Sequence, residues 1–148
     1  MHPAPHSLQD GSSGPFAALA AAVEACTAVQ PVELTDGEVA DAVLGLAQLI
    51  GQAEACLARC AGVVRSRALH TVEGARSAES WLAARSELPH GRAKALVSAG
   101  RQLTACPHVE QAYLSGALGT AKVELLLAAR DQVEDLFAGA LEAEMAGF

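Results

Sequence analysis

The chain has 148 residues, a formal net charge of −7 and a composition that is 51% hydrophobic. Alanine supplies 33 of these residues, whereas isoleucine, tyrosine and tryptophan occur once each and asparagine is missing. Ala and Leu favour helices, whereas β-branched and aromatic residues favour strands. We therefore do not expect a sandwich, a barrel or a doubly wound sheet. The sequence therefore predicts an all-α protein.

The beginning of the chain predicts a tail and then one helical domain. Residues 1–14 are rich in Pro, Ser and Gly, which is typical of a disordered tail, and residues 15–148 are expected to form a single domain. Pro15 suits the first turn of a helix over 16–30. The apolar stretch 16–23 is too short and lacks the positive charge of a signal peptide, and no run could span a membrane. We expect a cytoplasmic protein without membrane contact.

The strongest pattern predicts a long helix from about Asp36 to Leu69. Thr35 and Glu38 have the spacing of a capping box at its start. Apolar residues then recur at alternating spacings of four and three, and we call them the heptad seam: Val39, Val43, Leu46, Ile50, Ala53, Leu57, Cys60 and Val64. The positions that flank this seam are apolar except Glu54, so we expect a helix inside a bundle rather than a free two-stranded coiled coil.

The cysteines and the single tryptophan are interpreted as packing residues. The seam assigns Cys56 and Cys60 to the bundle interior, where a buried thiol behaves as a small apolar group. Zinc needs four convergent ligands, which the sequence does not indicate, so we expect no metal site. Trp81 is expected to anchor the core rather than to stack on a base.

Shorter helices follow the long one. Ser77 is a plausible N-cap for a helix over 78–86, and a second helix is expected over 90–105 with Leu96, Ala99 and Leu103 facing inward. Two more are expected over 109–115 and 121–141, with Thr120 capping the last. The whole is an all-α helical bundle with one long heptad-patterned helix and a helix-turn-helix-like pair of shorter helices.

That pair carries the one candidate nucleic-acid-binding surface. Residues 59–101 have a net charge of +5 between acidic ends, and the four-residue turn 86–89 has the length found in helix-turn-helix motifs, although it lacks their common glycine. On the second helix, a polar and basic stripe is formed by Lys94, Ser98 and Arg101 at i, i+4 and i+7. This stripe could contact the phosphates of double-stranded DNA, although a solvated basic face is the alternative. The candidate residues are Arg85, Arg92, Lys94, Ser98 and Arg101.

No pattern indicates an enzyme. The sequence has no nucleophile elbow, phosphate-binding loop, dinucleotide-binding fingerprint or zinc-protease motif. We therefore expect no catalytic residues, no cofactor and no small-molecule substrate.

Three segments within 32–136 resemble a known family. They are the long helix, the stretch 74–103 with Ser77, Trp81, Leu82 and Leu88-Pro89, and the stretch 106–130 with Gly116–Thr120 before the last helix. The order is similar to the domain-of-unknown-function family numbered 222, actinobacterial repeat proteins that often carry a C-terminal HNH endonuclease domain. The resemblance implies an all-helical module in front of a nuclease. This chain lacks an HNH segment, and without asparagine it cannot supply the middle residue of that motif.

The sequence thus leads to two functional hypotheses. The first is a non-catalytic DNA-binding or targeting module of an HNH-nuclease or mobile-element system. The alternative is a protein-interaction or oligomerisation module, which would bind a second copy or a partner helix through the heptad face over 39–64. A truncated remnant without a function of its own is a third interpretation.

Overall fold

A computed structural model describes residues 14–146 of the chain, and this part is all helical. It contains no strand, which confirms the predicted all-α helical bundle. Two short 3-10 helices, Pro31–Glu33 and Leu69–Glu73, lie between the α-helices. The predicted tail over 1–14 lies outside the described residues except for Gly14. The α-helices of the described part are α1 (Pro15–Thr27), α2 (Asp36–Ser66), α3 (Ala78–Ser86), α4 (His90–Leu103), α5 (Pro107–Leu114) and α6 (Thr120–Ala146).

The chain divides into two compact units, one up to Val43 and one from Leu44 onward. The first unit contains α1, none of whose residues is buried: Phe16, Leu19 and Val23 are all more than half exposed. The second unit contains the buried core, which α2 to α6 supply. Whether residues 15–148 act as one domain stays a prediction.

The long helix α2 begins as predicted. The Glu38 amide donates to Thr35 Oγ1 at 3.3 Å, and the Thr35 amide donates to Glu38 Oε2 at 2.9 Å, which is the reciprocal pattern of a capping box. The helix ends at Ser66, three residues before the predicted Leu69. Ala68 has a φ of 51°, and a left-handed residue of this kind ends a helix by turning the chain away from its axis.

Helix α3 ends at Ser86 and helix α4 begins at His90, as predicted. Ser77 Oγ accepts from the Ser80 amide at 3.1 Å and so caps α3. Glu87 follows α3 with a φ of 57°, the left-handed conformation that glycine usually supplies. The glycine that the turn lacks is therefore replaced by a glutamate in the same backbone conformation. Leu96, Ala99 and Leu103 of α4 are buried, as predicted.

The core of the second unit depends on a close crossing of α2 and α4. A Cβ built on Gly100 would lie 2.0 Å from the Ala58 carbonyl oxygen, and one on Gly62 would lie 2.9 Å from the Gly100 carbonyl carbon. The two backbones therefore touch, which only residues without a side chain allow. Around the crossing lie the small buried residues of both helices: Ala55, Ala58, Ala61, Ala93 and Ala99.

The remaining helices close the core over larger side chains. Tyr113 of α5 and Val123 and Leu127 of α6 are buried against it, and α5 packs against both α4 and α6. Gly116, with a φ of 82°, turns the chain after α5. Trp81 is partly buried and packs against the edge of the core, which agrees with the expected core contact.

Replacing Gly100 with alanine should strongly destabilise the fold. The new methyl group would overlap the Ala58 carbonyl, so α2 and α4 must separate and lose contacts along their crossing. We expect a loss of about 3 kcal/mol or more in the free energy of unfolding, measured by urea denaturation.

Gly91 is the matched control in the same helix, because nothing lies within 4 Å of its Cβ position. Gly91→Ala should leave stability unchanged or raise it by up to about 1 kcal/mol. Equal effects of the two substitutions would contradict the close crossing.

Candidate nucleic-acid and protein-interaction surfaces

The five residues predicted to contact DNA do not form one free basic surface. Lys94 and Arg101 lie seven residues apart on α4, about 10 Å along its axis, and both are exposed. Neither forms an ion pair within residues 14–146. Ser98 is partly buried, and its hydroxyl accepts from Gln102 Nε2 at 3.1 Å. Only the two outer members of the stripe are thus free cations in the part described.

Arg92 is bound by carboxylates of the chain itself. Its Nη2 contacts Glu54 Oε2 of α2 and its Nη1 lies 2.7 Å from Glu124 Oε1 of α6. One guanidinium thus joins two helices to α4, and the three side chains together carry one negative charge. Arg92, the candidate DNA-contacting residue near the start of α4, is thus an internal cross-link between helices in this structure, and its contact with DNA stays a prediction.

Arg85 is engaged in a similar way at the other end of the pair. Its Nη1 lies 3.1 Å from Glu73 Oε2, and the same oxygen accepts from Trp81 Nε1 at 3.0 Å. The Arg85 and Glu73 side chains are 43% and 42% exposed, so the ion pair is worth little in free energy and can exchange with solvent. Arg85 is thus paired with Glu73 in this structure, and its contact with DNA stays a prediction.

Two hydroxyls, that of the buried Tyr113 and that of the partly buried Thr120, extend the contacts of Glu54. Thr120 Oγ1 donates to Glu54 Oε2 at 2.6 Å, so its only proton is committed. The Tyr113 hydroxyl, 2.8 Å from Thr120 Oγ1, must then be the donor in that contact. The side chain of Thr120 therefore joins α6 to α2 and does not cap its own helix, contrary to the prediction.

Burial raises the pKa of the Tyr113 phenol above its ordinary value. The negative charge of Glu54 adds to the rise. The residue is 2% exposed, so its hydroxyl depends on this internal chain of partners.

The heptad seam does not face the core between Val43 and Cys60; only Val64, at its end, is partly buried against the core. Val43, Leu46 and Ile50 are 60%, 47% and 57% exposed, and Leu57 is 39% exposed. The buried side of α2 is instead the alanine side, turned roughly a third of a revolution from the seam at 3.6 residues per turn. The prediction that the seam is buried inside the chain's own bundle was wrong.

Small side chains explain this choice of face. Ala55, Ala58 and Ala61, together with Gly62, allow the α4 backbone to reach α2, whereas the larger seam residues would hold it away. The exposed side forms a continuous apolar strip, which we call the seam face. It consists of Val43, Leu46, Leu49, Ile50, Ala53, Cys56, Leu57, Cys60 and Val63.

The prediction that the two cysteines of α2 lie in the bundle interior was also wrong. Cys56 and Cys60 are both exposed thiols on the seam face rather than core residues. Within residues 14–146 no three His, Cys, Asp or Glu side chains come together as a metal site requires. None of the described helices is both long and apolar enough to cross a membrane.

Sequence reasoning missed Glu54 and the alanine side, and a signal existed for each. Glu54 is the one charged residue beside an otherwise apolar seam, and a carboxylate in such a position needs a cationic partner. Small residues at 55, 58, 61 and 62 recur at helical spacing, which is typical of a close helix crossing.

Comparison of the chain with protein-family models, with curated proteins and with solved structures finds no match.

The raised pKa of Tyr113 predicts a loss of stability in alkali. The folded state holds the phenolic proton more tightly than the unfolded chain, whose tyrosine titrates near ~10. This contribution is present below that pH and is lost as the pH rises through the pKa of the folded state. Tyr113 is the sole tyrosine of the sequence, so tyrosinate absorbance reports it directly.

The urea-unfolded chain is the control and should titrate as free tyrosine does. A folded protein that titrates like the unfolded one would contradict the burial of Tyr113.

Proposed function

We propose that the chain is a non-catalytic helical interaction module that binds a protein partner through the seam face of α2. The observation that supports this most is the exposure of Leu46, Leu49 and Ile50 in the middle of a long helix whose other side is packed. Single exposed apolar residues are ordinary on protein surfaces, but a continuous strip of them marks an interaction site.

The pattern of the strip supports a helical partner. The seam residues within it, from Val43 to Cys60, follow the alternating spacing of four and three, which places them in register with the side chains of a second helix. A ligand pocket would instead be concave and would carry a few convergent polar groups. The free thiols of Cys56 and Cys60 on this face agree with a reducing, cytoplasmic setting, which we include in the proposal.

Replacing Ile50 with lysine tests whether the seam face belongs to the chain's own fold. Because Ile50 is exposed, Ile50→Lys should change the concentration-independent part of the unfolding free energy by less than ~0.5 kcal/mol. The measurement is thermal and urea unfolding over a range of protein concentrations. Any stability that rises with concentration comes from association, and it should disappear in the variant.

Ala58→Lys is the matched control on the buried side of α2, where the residue has no exposed surface. It should lose about 3 kcal/mol or more at every concentration, because a charge enters the α2–α4 crossing. If Ile50→Lys costs as much as Ala58→Lys at all concentrations, the seam belongs to the internal core and the proposal is wrong.

DNA binding is a second candidate, favoured by the two free cations of α4. Lys94 and Arg101 are exposed on one side of that helix at a spacing that can reach separate phosphates. The engagement of Arg85 and Arg92 with carboxylates reduces the number of available contacts from that expected from the sequence. The nuclease-associated role implied by the resemblance to the family numbered 222 stays a prediction.

The salt dependence of duplex binding tests this candidate. Two phosphate contacts predict that the logarithm of the association constant falls with the logarithm of salt concentration with a slope of about −2. Lys94→Glu should weaken binding and flatten that slope, as measured by fluorescence anisotropy of a labelled duplex. Lys122→Glu, an exposed site of equal charge on α6, is the control and should have less effect. Absence of binding at ~50 mM salt, or equal effects of the two variants, would contradict the candidate.

A further inference from the structure

We infer that the seam face is covered by the seam face of a second copy, with the two α2 helices antiparallel. In the register that we infer, residue n of one copy faces residue 103 − n of the other. This inference rests on the proposed interaction function and names its partner, orientation and register.

The size of the seam face meets what a dimer of this kind needs. It runs from Val43 to Val63, which is about 30 Å of helix. Its six largest side chains are 39% to 61% exposed, which leaves on the order of 500–600 Å² of apolar surface uncovered. Two such faces bury roughly 1,000–1,200 Å² when they cover each other, the lower bound for a specific interface.

The chemistry of the strip favours another apolar helix as its occupant. The positions beside the seam on its free side are Leu49, Cys56 and Val63 rather than charged residues. On the other side, Ala40 and Ala47 precede Glu54, which Arg92 already binds. A second copy supplies the same apolar strip and brings no unpaired charge to its centre, so neither partner buries an ion.

Charge complementarity sets the orientation. The beginning of α2 is acidic, with Asp36, Glu38 and Asp41, and its other end is basic, with Arg59 and Arg65 followed by Arg67. A parallel pair would place acid beside acid and base beside base. An antiparallel pair brings each acidic end beside a basic end, and it also places the two helix dipoles in opposite directions.

The seam itself sets the register. When residue n faces residue 103 − n, the layers are Val43 with Cys60, Leu46 with Leu57, and Ile50 with Ala53. The six exposed seam residues from Val43 to Cys60 then all have a partner, and a large side chain faces a small one at the centre. A shift by one heptad leaves at least one seam residue of each copy uncovered. The same register places Asp36, the first residue of α2, opposite Arg67 of the second copy.

Cysteine cross-linking measures orientation and register together. Three variants are compared in a background in which Cys26, Cys56 and Cys106 are alanine. The first keeps only Cys60, the second adds Val43→Cys, and the third combines Val43→Cys with Cys60→Ala. Each folded protein is first sized by sedimentation at high micromolar concentration and then treated with a mild oxidant or a short bis-maleimide.

The inferred dimer predicts efficient covalent linkage only in the variant that holds cysteines at both 43 and 60, at least ~10-fold faster than in the other two. In an antiparallel pair, like positions 60 and 60, or 43 and 43, lie about 25 Å apart along the helices. Adding Ile50→Lys to the doubly substituted variant should abolish the linkage, which controls for random collision.

Two results would overturn the inference. Linkage in either single-cysteine variant would indicate a parallel pair, and a monomer in sedimentation would exclude the second copy as the occupant. A monomer whose Ile50→Lys variant keeps its full intrinsic stability would leave the proposed interaction function in place with a different partner. A monomer destabilised by Ile50→Lys at every concentration would contradict both the inferred dimer and the proposed interaction function.

Discussion

The close contact of Gly62 with Gly100 is the constraint on which the rest of the second unit depends. It lets the backbones of α2 and α4 touch, and so it selects the side of α2 that faces the core. That side carries alanines, because any larger residue near the crossing would separate the helices. The large apolar residues of the same helix are thereby excluded from the interior and turned toward solvent.

The Glu54–Arg92–Glu124 cluster holds the crossing in a fixed geometry. Alanine and glycine contacts bury little apolar area each, so a core built from them gains less from the hydrophobic effect than one built from leucine. A guanidinium that contacts carboxylates of two other helices adds directional contacts among α2, α4 and α6. Thr120 and Tyr113 continue that network into the core, so α5 and α6 are positioned by polar as well as apolar contacts.

The sequence predicted the local structure well and the packing less well, for physical reasons. The capping box at Thr35 and Glu38 and the cap at Ser77 are local interactions, so their residues were sufficient to place two helix starts. The orientation of α2 depends on residues far apart in the chain, since Gly62 and Gly100 matter only because they meet. The heptad pattern predicts an apolar face on α2, but it does not determine whether the helix that covers this face belongs to the same chain.

The predicted DNA-contacting residues show the same contrast between local features and contacts that depend on distant parts of the chain. A helical stripe of Lys94, Ser98 and Arg101 follows from spacing alone, and the structure keeps these residues on one helix. The ion pairs of Arg92 could not be predicted from the neighbouring sequence, because its carboxylate partners come from α2 and α6. Basic residues near a helix start are ambiguous until the acidic residues of neighbouring helices are placed.

An antiparallel pairing of α2 would also give the two candidate functions a common geometry. The pairing has a two-fold axis perpendicular to the helices, near the midpoint between Gly51 and Gln52. Because α4 is fixed to α2 at Gly62, each copy would carry its Lys94–Arg101 stripe in a symmetry-related position. Paired stripes of this kind double the number of phosphate contacts without any change in the monomer. The seam and the basic stripe lie on different helices, so binding at one does not require the other to be given up.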